Sequence, residues 1–208
     1  MSRLRYNRKK AVDTLKSNCP QIARLIRAKG RFSLQVKGNT DLFISLASSI
    51  AYQQLSGKAA TTIYGRFEAL FENNTPLASE AVNLSIQTLR SVGLSNNKAL
   101  SIIDLAEHSC SGSLPNARKM AALDDQAIIE NLCRVRGIGP WTAQMHLIFS
   151  LGRPDVMPAT DLGIQKGIQM TYSLPELPNP NQVLDTTRHL APYRSVASWY
   201  FWRAADDG

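Results

Sequence analysis

The sequence predicts an all-α protein, and three observations carry that prediction. Apolar residues recur at i, i+3 and i+4 along almost the whole chain, and no stretch alternates with a period of two for long. Residues that start or stop helices bracket these periodic segments one after another. With 208 residues and 23.0 kDa, the chain has room for one sizeable core or for two small lobes that share one.

The elements follow in order. CPQIARLIRAKG has Pro20 early, where a missing N–H costs nothing, and Gly30 to close it. TDLFISLASSIAYQQ is opened by Thr40 and Asp41, SGKAATTIYGRFEALF by Ser56, and SNNKALSIIDLAEHS by Ser95; SIQTLRSVG is closed by Gly93. Next come DDQAIIENLCRV, PWTAQMHLIFSLG with Pro140 at a first helical position, DLGIQKGIQMTY, and the aromatic PYRSVASWYFWRAA. Between the last two, residues 173 to 182 read SLPELPNPNQ, where Pro175, Pro178 and Pro180 argue for a linker without a helix.

Composition narrows the partners. A net charge of +8 and a pI near 9.6 suit a polyanion or an anionic surface, and equally suit a protein that is merely basic. Cys19, Cys110 and Cys133 are odd in number and lack CxxC spacing, which argues against a disulfide framework, a zinc site or a four-cysteine iron–sulfur cluster and for a reducing compartment. The start, MSRLRYNRKK, is basic without an apolar region behind it, and no segment approaches ~18 uninterrupted apolar residues. We therefore expect a cytoplasmic, nucleoid-associated or nuclear protein with no membrane anchor. The basic start reads either as an arm that touches phosphate or, more simply, as frayed, solvated charge.

The chemistry concentrates in RVRGIGPWTAQMHLIFSLGRPDVMPATD, residues 134 to 161. Two helices joined by a tight RGIG turn leave the second helix's first amides pointing outward at a positive helix end, a place that binds phosphate. A bare GxG is a weak pattern. Flanked by helix signals, with Pro140 fixing the second entry, Gly137, Ile138 and Gly139 form a helix-hairpin-helix signature for duplex backbone. Carbonyls around such a turn, here those of Cys133, Val135 and Ile138, can also hold a monovalent sodium or potassium ion.

RGIGPWTAQMHLIFSLGRPDVMPATDLG resembles the core of the helix-hairpin-helix (HhH-GPD) DNA glycosylase superfamily, and within it the 3-methyladenine DNA glycosylase II, or alkylpurine, branch. SSIAYQQLSGKAATTIYGRF, LRSVGLSNNKALSIIDLA and APYRSVASWYFWR resemble its upstream, middle and closing segments, in the family's order, from about Leu15 to Arg203. The resemblance implies a two-lobed fold: one lobe from about residues 40 to 136, the other from 1 to 39 plus 141 to 208, the hairpin over 130 to 150, and a cleft between the lobes. It implies damaged duplex DNA as partner, a monomer, and no required cofactor.

Residue by residue, Asp161 stands where the family keeps its catalytic aspartate. A carboxylate there stabilises an oxocarbenium-like transition state or orients a water. Asp is also a favoured N-cap, so Asp161 can simply cap LGIQKGIQM; the two roles are compatible. Many relatives carry two adjacent acids here, whereas this chain has Thr160 before Asp161. Glycosylases that also cleave the strand keep a lysine early in the helix after the hairpin; this chain has Trp141, which cannot form a Schiff base.

An alkylated purine is cationic and already a good leaving group, so its pocket needs aromatic faces more than a strong acid. The resemblance assigns Trp141 and Trp202 to that pocket, with Trp199, Tyr52 and Tyr193 as weaker candidates; Tyr200 and Phe201 read as core. The resemblance implies that the gap left by a flipped base is filled from the turn after the QQ pair, here Gln53-Gln54-Leu55-Ser56, where Leu55 is a wedge and Gln54 and Ser56 probe base edges, or else Leu55 is buried and Ser56 only caps a helix. Lys58 and Arg194 are candidate phosphate contacts or solvated charges. His108, His146 and His189 are isolated, with no metal spacing. The resemblance thus implies a monofunctional glycosylase for alkylated purines such as 3-methyladenine and 7-methylguanine. A non-catalytic lesion-binding or abasic-site-binding protein on the same scaffold is the alternative.

Overall fold

The computed structural model describes residues 4–36 and 41–206, and its elements are helices, with no strand among the described residues. The chain divides into two compact units, one from residues 39 to 143 and the other from residues 1 to 38 together with 144 to 208.

The contiguous unit holds α3 (Leu42–Tyr52), α4 (Gly57–Glu68), the short α5 (Ala78–Ala81), α6 (Ile86–Ser91), α7 (Asn96–Cys110), the short α8 (Ala117–Ala122), α9 (Asp125–Leu132) and the start of α10 (Pro140–Phe149). Its centre is the α3–α7 pair, with α4 on α3 and with α5 and α6 on α7. Leu46, Ile50, Phe67, Leu89, Ile102, Leu105, Met120 and Ile128 are fully buried there. Burying a large apolar side chain contributes about 1.5–3 kcal/mol, so this cluster fixes the helices that carry the surface turns. Asp41 caps α3 through Phe43 and Ile44 N–H; Thr40, also expected there, lies outside the described residues.

The second unit holds α1 (Arg8–Asn18), α2 (Pro20–Lys29), the rest of α10, α11 (Leu162–Tyr172), α12 (Pro180–Thr187) and α13 (Arg194–Ala205). The pairing of α11 with α13 is its most extensive contact, and α2 packs on both. Gly167 makes that crossing possible: a Cβ there would stand 2.1 Å from the carbonyl oxygen of Phe201, so the two helices meet backbone to backbone.

Two expectations need correcting. The basic start is not a frayed arm from Arg8 onward: Asn7 Oδ1 accepts from Lys10 N–H at 3.0 Å to cap α1, and Ala11 and Leu15 are buried beneath its charges. The linker ends at Asn179. Pro180 is the first residue of α12, where proline is well suited, and Asn179 and Gln182 form a capping box. The prolines that looked like a ban on helix were in part a helix start.

Candidate active site

Asp161 sits where an extended segment turns into α11. The segment is pinned to the start of α13: Ser195 N–H donates to Pro154 O at 2.9 Å, Val156 N–H donates to Ser195 Oγ at 2.9 Å, and Arg194 grips the Asp155 carboxylate from both sides at 2.8 Å. Asp161 Oδ1 then accepts two hydrogen bonds, from Ile164 N–H at 3.0 Å and from the Trp202 indole Nε1–H at 2.9 Å. The first is the N-cap of α11; the second ties the carboxylate to α13. Gly163 keeps the approach open, since a Cβ there would lie 2.9 Å from Trp202 Cδ1 and 3.1 Å from Asp161 Oδ1. Trp202 also leans on Phe149, ring centroids 5.7 Å apart at 31°. The result is a half-buried carboxylate in fixed orientation beside a half-buried indole whose N–H is committed to it.

The hairpin between α9 and α10 is built from within. Val135 N–H donates to Leu132 O and Ile138 N–H to Val135 O, each at 3.1 Å, and the Ile138 side chain is buried, leaving Gly137 and Gly139 on the surface. Gly137 has φ 74° and would place a Cβ 2.4 Å from Ser101 Oγ, so glycine is required there twice over. A Cβ on Gly139 would meet nothing within 4 Å. Arg136 N–H donates to Asp104 Oδ2 at 2.7 Å, which anchors the turn to α7. Ala143 N–H donates to Gly139 O at 3.1 Å, the bond that opens the α10 ladder.

The turn after α3 lies in the same unit. Gln54 adopts a left-handed φ of 55°, and Leu55 is 38% exposed. Ser56 occupies the N-cap position of α4 but makes no capping hydrogen bond with its side chain. The simpler alternative for this stretch, a buried leucine and a capping serine, therefore fails, and all three side chains stand at the surface.

Residues 47–192 match the family model described as HhH-GPD superfamily base excision DNA repair protein.

The chain belongs to the HhH-GPD superfamily.

Among its relatives is DNA-3-methyladenine glycosylase 1 of Schizosaccharomyces pombe, 38% identical over 161 residues, 77% of this chain and 71% of that protein. The structure of the S. pombe 3-methyladenine DNA glycosylase in complex with abasic DNA superposes with a TM-score of 0.85 at 34% identity, covering 93% of this chain and 95% of that one. A DNA-3-methyladenine glycosidase from Bacillus halodurans superposes with a TM-score of 0.84 at 36% identity, covering 94% and 88%.

Within this HhH-GPD chain, other expected site residues sort by exposure. Trp141 is 43% exposed at the start of α10. Tyr52 is exposed, its hydroxyl 3.0 Å from Thr61 Oγ1, and Tyr193 is partly exposed with its ring centroid 6.1 Å from that of Tyr6. Lys58 is exposed. Two assignments are corrected. Trp199 is 8% exposed, flanked edge-on by Phe32 and Tyr200 and covered by the Arg203 guanidinium at 4.6 Å, so it is a core residue with no face for a base. Arg194 is committed to Asp155, and that hydrogen-bonded pairing raises its already high pKa, so it builds the Asp161 segment instead of reaching for phosphate.

His146 is buried on α10, and that burial lowers its pKa to about 4, a packed neutral histidine. Sequence reasoning missed Lys98 and Gln53. Lys98 Nζ donates to Ala51 O at 2.8 Å and to Gln53 O at 2.6 Å, and burial lowers its pKa; Gln53 Nε2 donates to Gly137 O at 2.9 Å. A lone lysine in an amphipathic helix gives no sign of this in the sequence.

Proposed function

We propose that this HhH-GPD protein is a monofunctional DNA glycosylase that flips alkylated purines, 3-methyladenine and 7-methylguanine among them, out of duplex DNA and hydrolyses the N-glycosidic bond, the first step of base excision repair. The observation that carries this reading is the Asp161 carboxylate, oriented by Ile164 N–H and Trp202 Nε1–H beside an aromatic ring. Such a carboxylate favours the positive charge that builds on the sugar as the base departs, or orients the attacking water. The Trp202 indole beside this carboxylate suits stacking on an electron-poor purine, and stacking a base contributes about 1–3 kcal/mol, comparable with the cost of flipping a damaged nucleotide. Trp141 in place of a lysine supports hydrolysis without strand cleavage.

Gly137, Ile138 and Gly139 present the backbone that grips phosphate, the exposed Lys58 adds a basic contact to the DNA backbone, and Gln54, Leu55 and Ser56 fill and probe the space left by the flipped base. The carbonyls of Cys133, Val135 and Ile138 suit a hard sodium or potassium ion, all three donors being oxygens on one short turn, with Val135 O already fixed by Ile138 N–H. Such an ion, when bound, would add positive charge for a phosphate oxygen. The enzyme acts as a monomer in a reducing compartment, nucleoid or nucleus; no helix among the described residues is long and apolar enough to cross a membrane.

The test is release of free bases from methylated duplex DNA, separated by chromatography. Free 3-methyladenine with an intact strand is the expected product. Lesion binding without release would favour a non-catalytic protein, and strand cleavage would refute the monofunctional assignment.

A further inference from the structure

The gap-filling turn has no hydrophobic anchor of its own. Gln54, Leu55 and Ser56 are all exposed, Ser56 makes no cap, and Gln54 holds a φ of 55° that an L side chain adopts reluctantly. A backbone in that region persists only where its surroundings enforce it. Here the enforcing groups come from the side. The ammonium of Lys98, one turn into α7, donates to two carbonyls at the C-terminal end of α3, Ala51 O and Gln53 O. A cation at that position also opposes the negative end of the α3 dipole. Gln53 then turns its side chain the other way, to Gly137 O at 2.9 Å and Thr142 Oγ1 at 3.4 Å, at the hairpin and the first turn of α10.

We infer that Lys98 and Gln53 form a strut that holds the gap-filling turn at a fixed distance from the phosphate-binding hairpin, so that Lys98 is a positioning residue for base flipping. This rests on the glycosylase reading above. A duplex backbone docked on Gly137 and Gly139 and a side chain inserted from Leu55 must be in register, because one strand's phosphates and its gap are covalently linked. The hairpin itself does not depend on Lys98: Ile138 burial and the Asp104 contact to Arg136 N–H hold it independently. Loss of the ammonium should therefore separate two events that the parental protein performs together, docking on phosphate and filling the gap.

The test compares the parental protein with Lys98→Met, which keeps most of the stem, and Lys98→Arg, which restores a donor. In Lys98→Met, amide hydrogen exchange over residues 53–57 should rise roughly tenfold or more while residues 133–139 stay at the parental level, and affinity for undamaged duplex should change less than about twofold. Single-turnover release of 3-methyladenine, and the fluorescence rise of 2-aminopurine placed opposite the lesion, should both fall by roughly ten- to a hundredfold, with substantial rescue in Lys98→Arg. Parental exchange and parental flipping in Lys98→Met would overturn the inference; so would equal loss of lesion and undamaged-duplex binding, which marks a purely structural lysine. If Lys98→Met does not fold, Gln53→Met cuts the strut at its other end, where it also removes the bond to Gly137 O, and is judged by exchange over residues 53–57, 2-aminopurine fluorescence and base release. A parental protein that releases no base refutes the glycosylase reading, while the exchange pattern and 2-aminopurine signal still decide the strut.

Discussion

Replacing Asp161 by Asn separates chemistry from architecture at a single atom. Asp161 Oδ1 is the acceptor for both Ile164 N–H and Trp202 Nε1–H, and an asparagine amide oxygen can occupy the same place and keep both bonds. Asn and Asp are near-equal N-caps, so α11 should keep its start, at a loss of about 0.3–1 kcal/mol in charge–dipole interaction. The transition state loses more. A unit charge about 4 Å from a developing oxocarbenium, at an effective dielectric near 20, is worth ~4 kcal/mol, roughly a thousandfold in rate. The assay is single-turnover release of bases from methylated duplex, with thermal melting and lesion affinity measured on the same preparation. The expected result is a near-parental melting temperature and lesion affinity with base release down by about three powers of ten. The loss should be largest for neutral lesions such as ethenoadenine, if they are released at all, because a cationic purine leaves more readily. An Asp161→Asn protein that unfolds, or that releases every base at the parental rate, would reduce Asp161 to a helix cap.

The other predictions are narrower. Trp202→Phe keeps a ring beside the carboxylate but removes its indole donor, so base release should fall by roughly tenfold or more, about the worth of one hydrogen bond to a charged group, while undamaged-duplex binding holds. Gly137→Ala must strain a φ of 74° and displace Ser101, so it should lower the melting temperature as well as DNA affinity, whereas Gly139→Ala, with open space around it, should lower affinity alone. Duplex affinity should fall with salt by about 0.9 log units per log unit of salt for each phosphate neutralised; a flat salt response would remove the phosphate-docking account. Because the folded-state pKa of His146 lies near 4, below the ordinary value of 6.5, the unfolded chain takes up this proton first on acidification. His146 therefore costs no stability above pH 6.5 and about 3 kcal/mol, progressively, between pH 6.5 and 4; denaturant titrations of His146→Leu should lack that part of the acid dependence.

Much of this was legible because helices announce themselves locally. Pro20, Asp41, Ser95, Pro140 and Gly30 stand at the ends expected of them, and Asp161 caps α11 in the way its residue type suggests. The basic run of α1 hid an apolar stripe as sparse as Ala11 and Leu15, and Pro180 carried the same letter as the prolines that precede it. Tertiary partnership left no local trace. Nothing near Arg194 in the sequence points to Asp155, and nothing in the SWYFW run says that Trp199 faces Phe32 while Trp202 faces Asp161. For the same reason Lys98 and Gln53 read as ordinary surface residues until α3, α7 and the hairpin are folded together.

The bare crossing at Gly167 bears on how such a protein can be improved. Glycine inside a helix is the usual first target for stabilisation, because alanine there gains roughly 0.5–1 kcal/mol. At Gly167 the added methyl would collide with the Phe201 carbonyl, and at Gly163 it would press on the Trp202 ring. The change at Gly167 must push α11 and α13 apart, and the change at Gly163 must shift the Trp202 ring or the Asp161 carboxylate from its place. Selection for heat tolerance alone should therefore find these two positions closed. A laboratory variant that nonetheless gained alanine at Gly167 would have to accept a different spacing between its acid and its indole, and with it a different choice of bases.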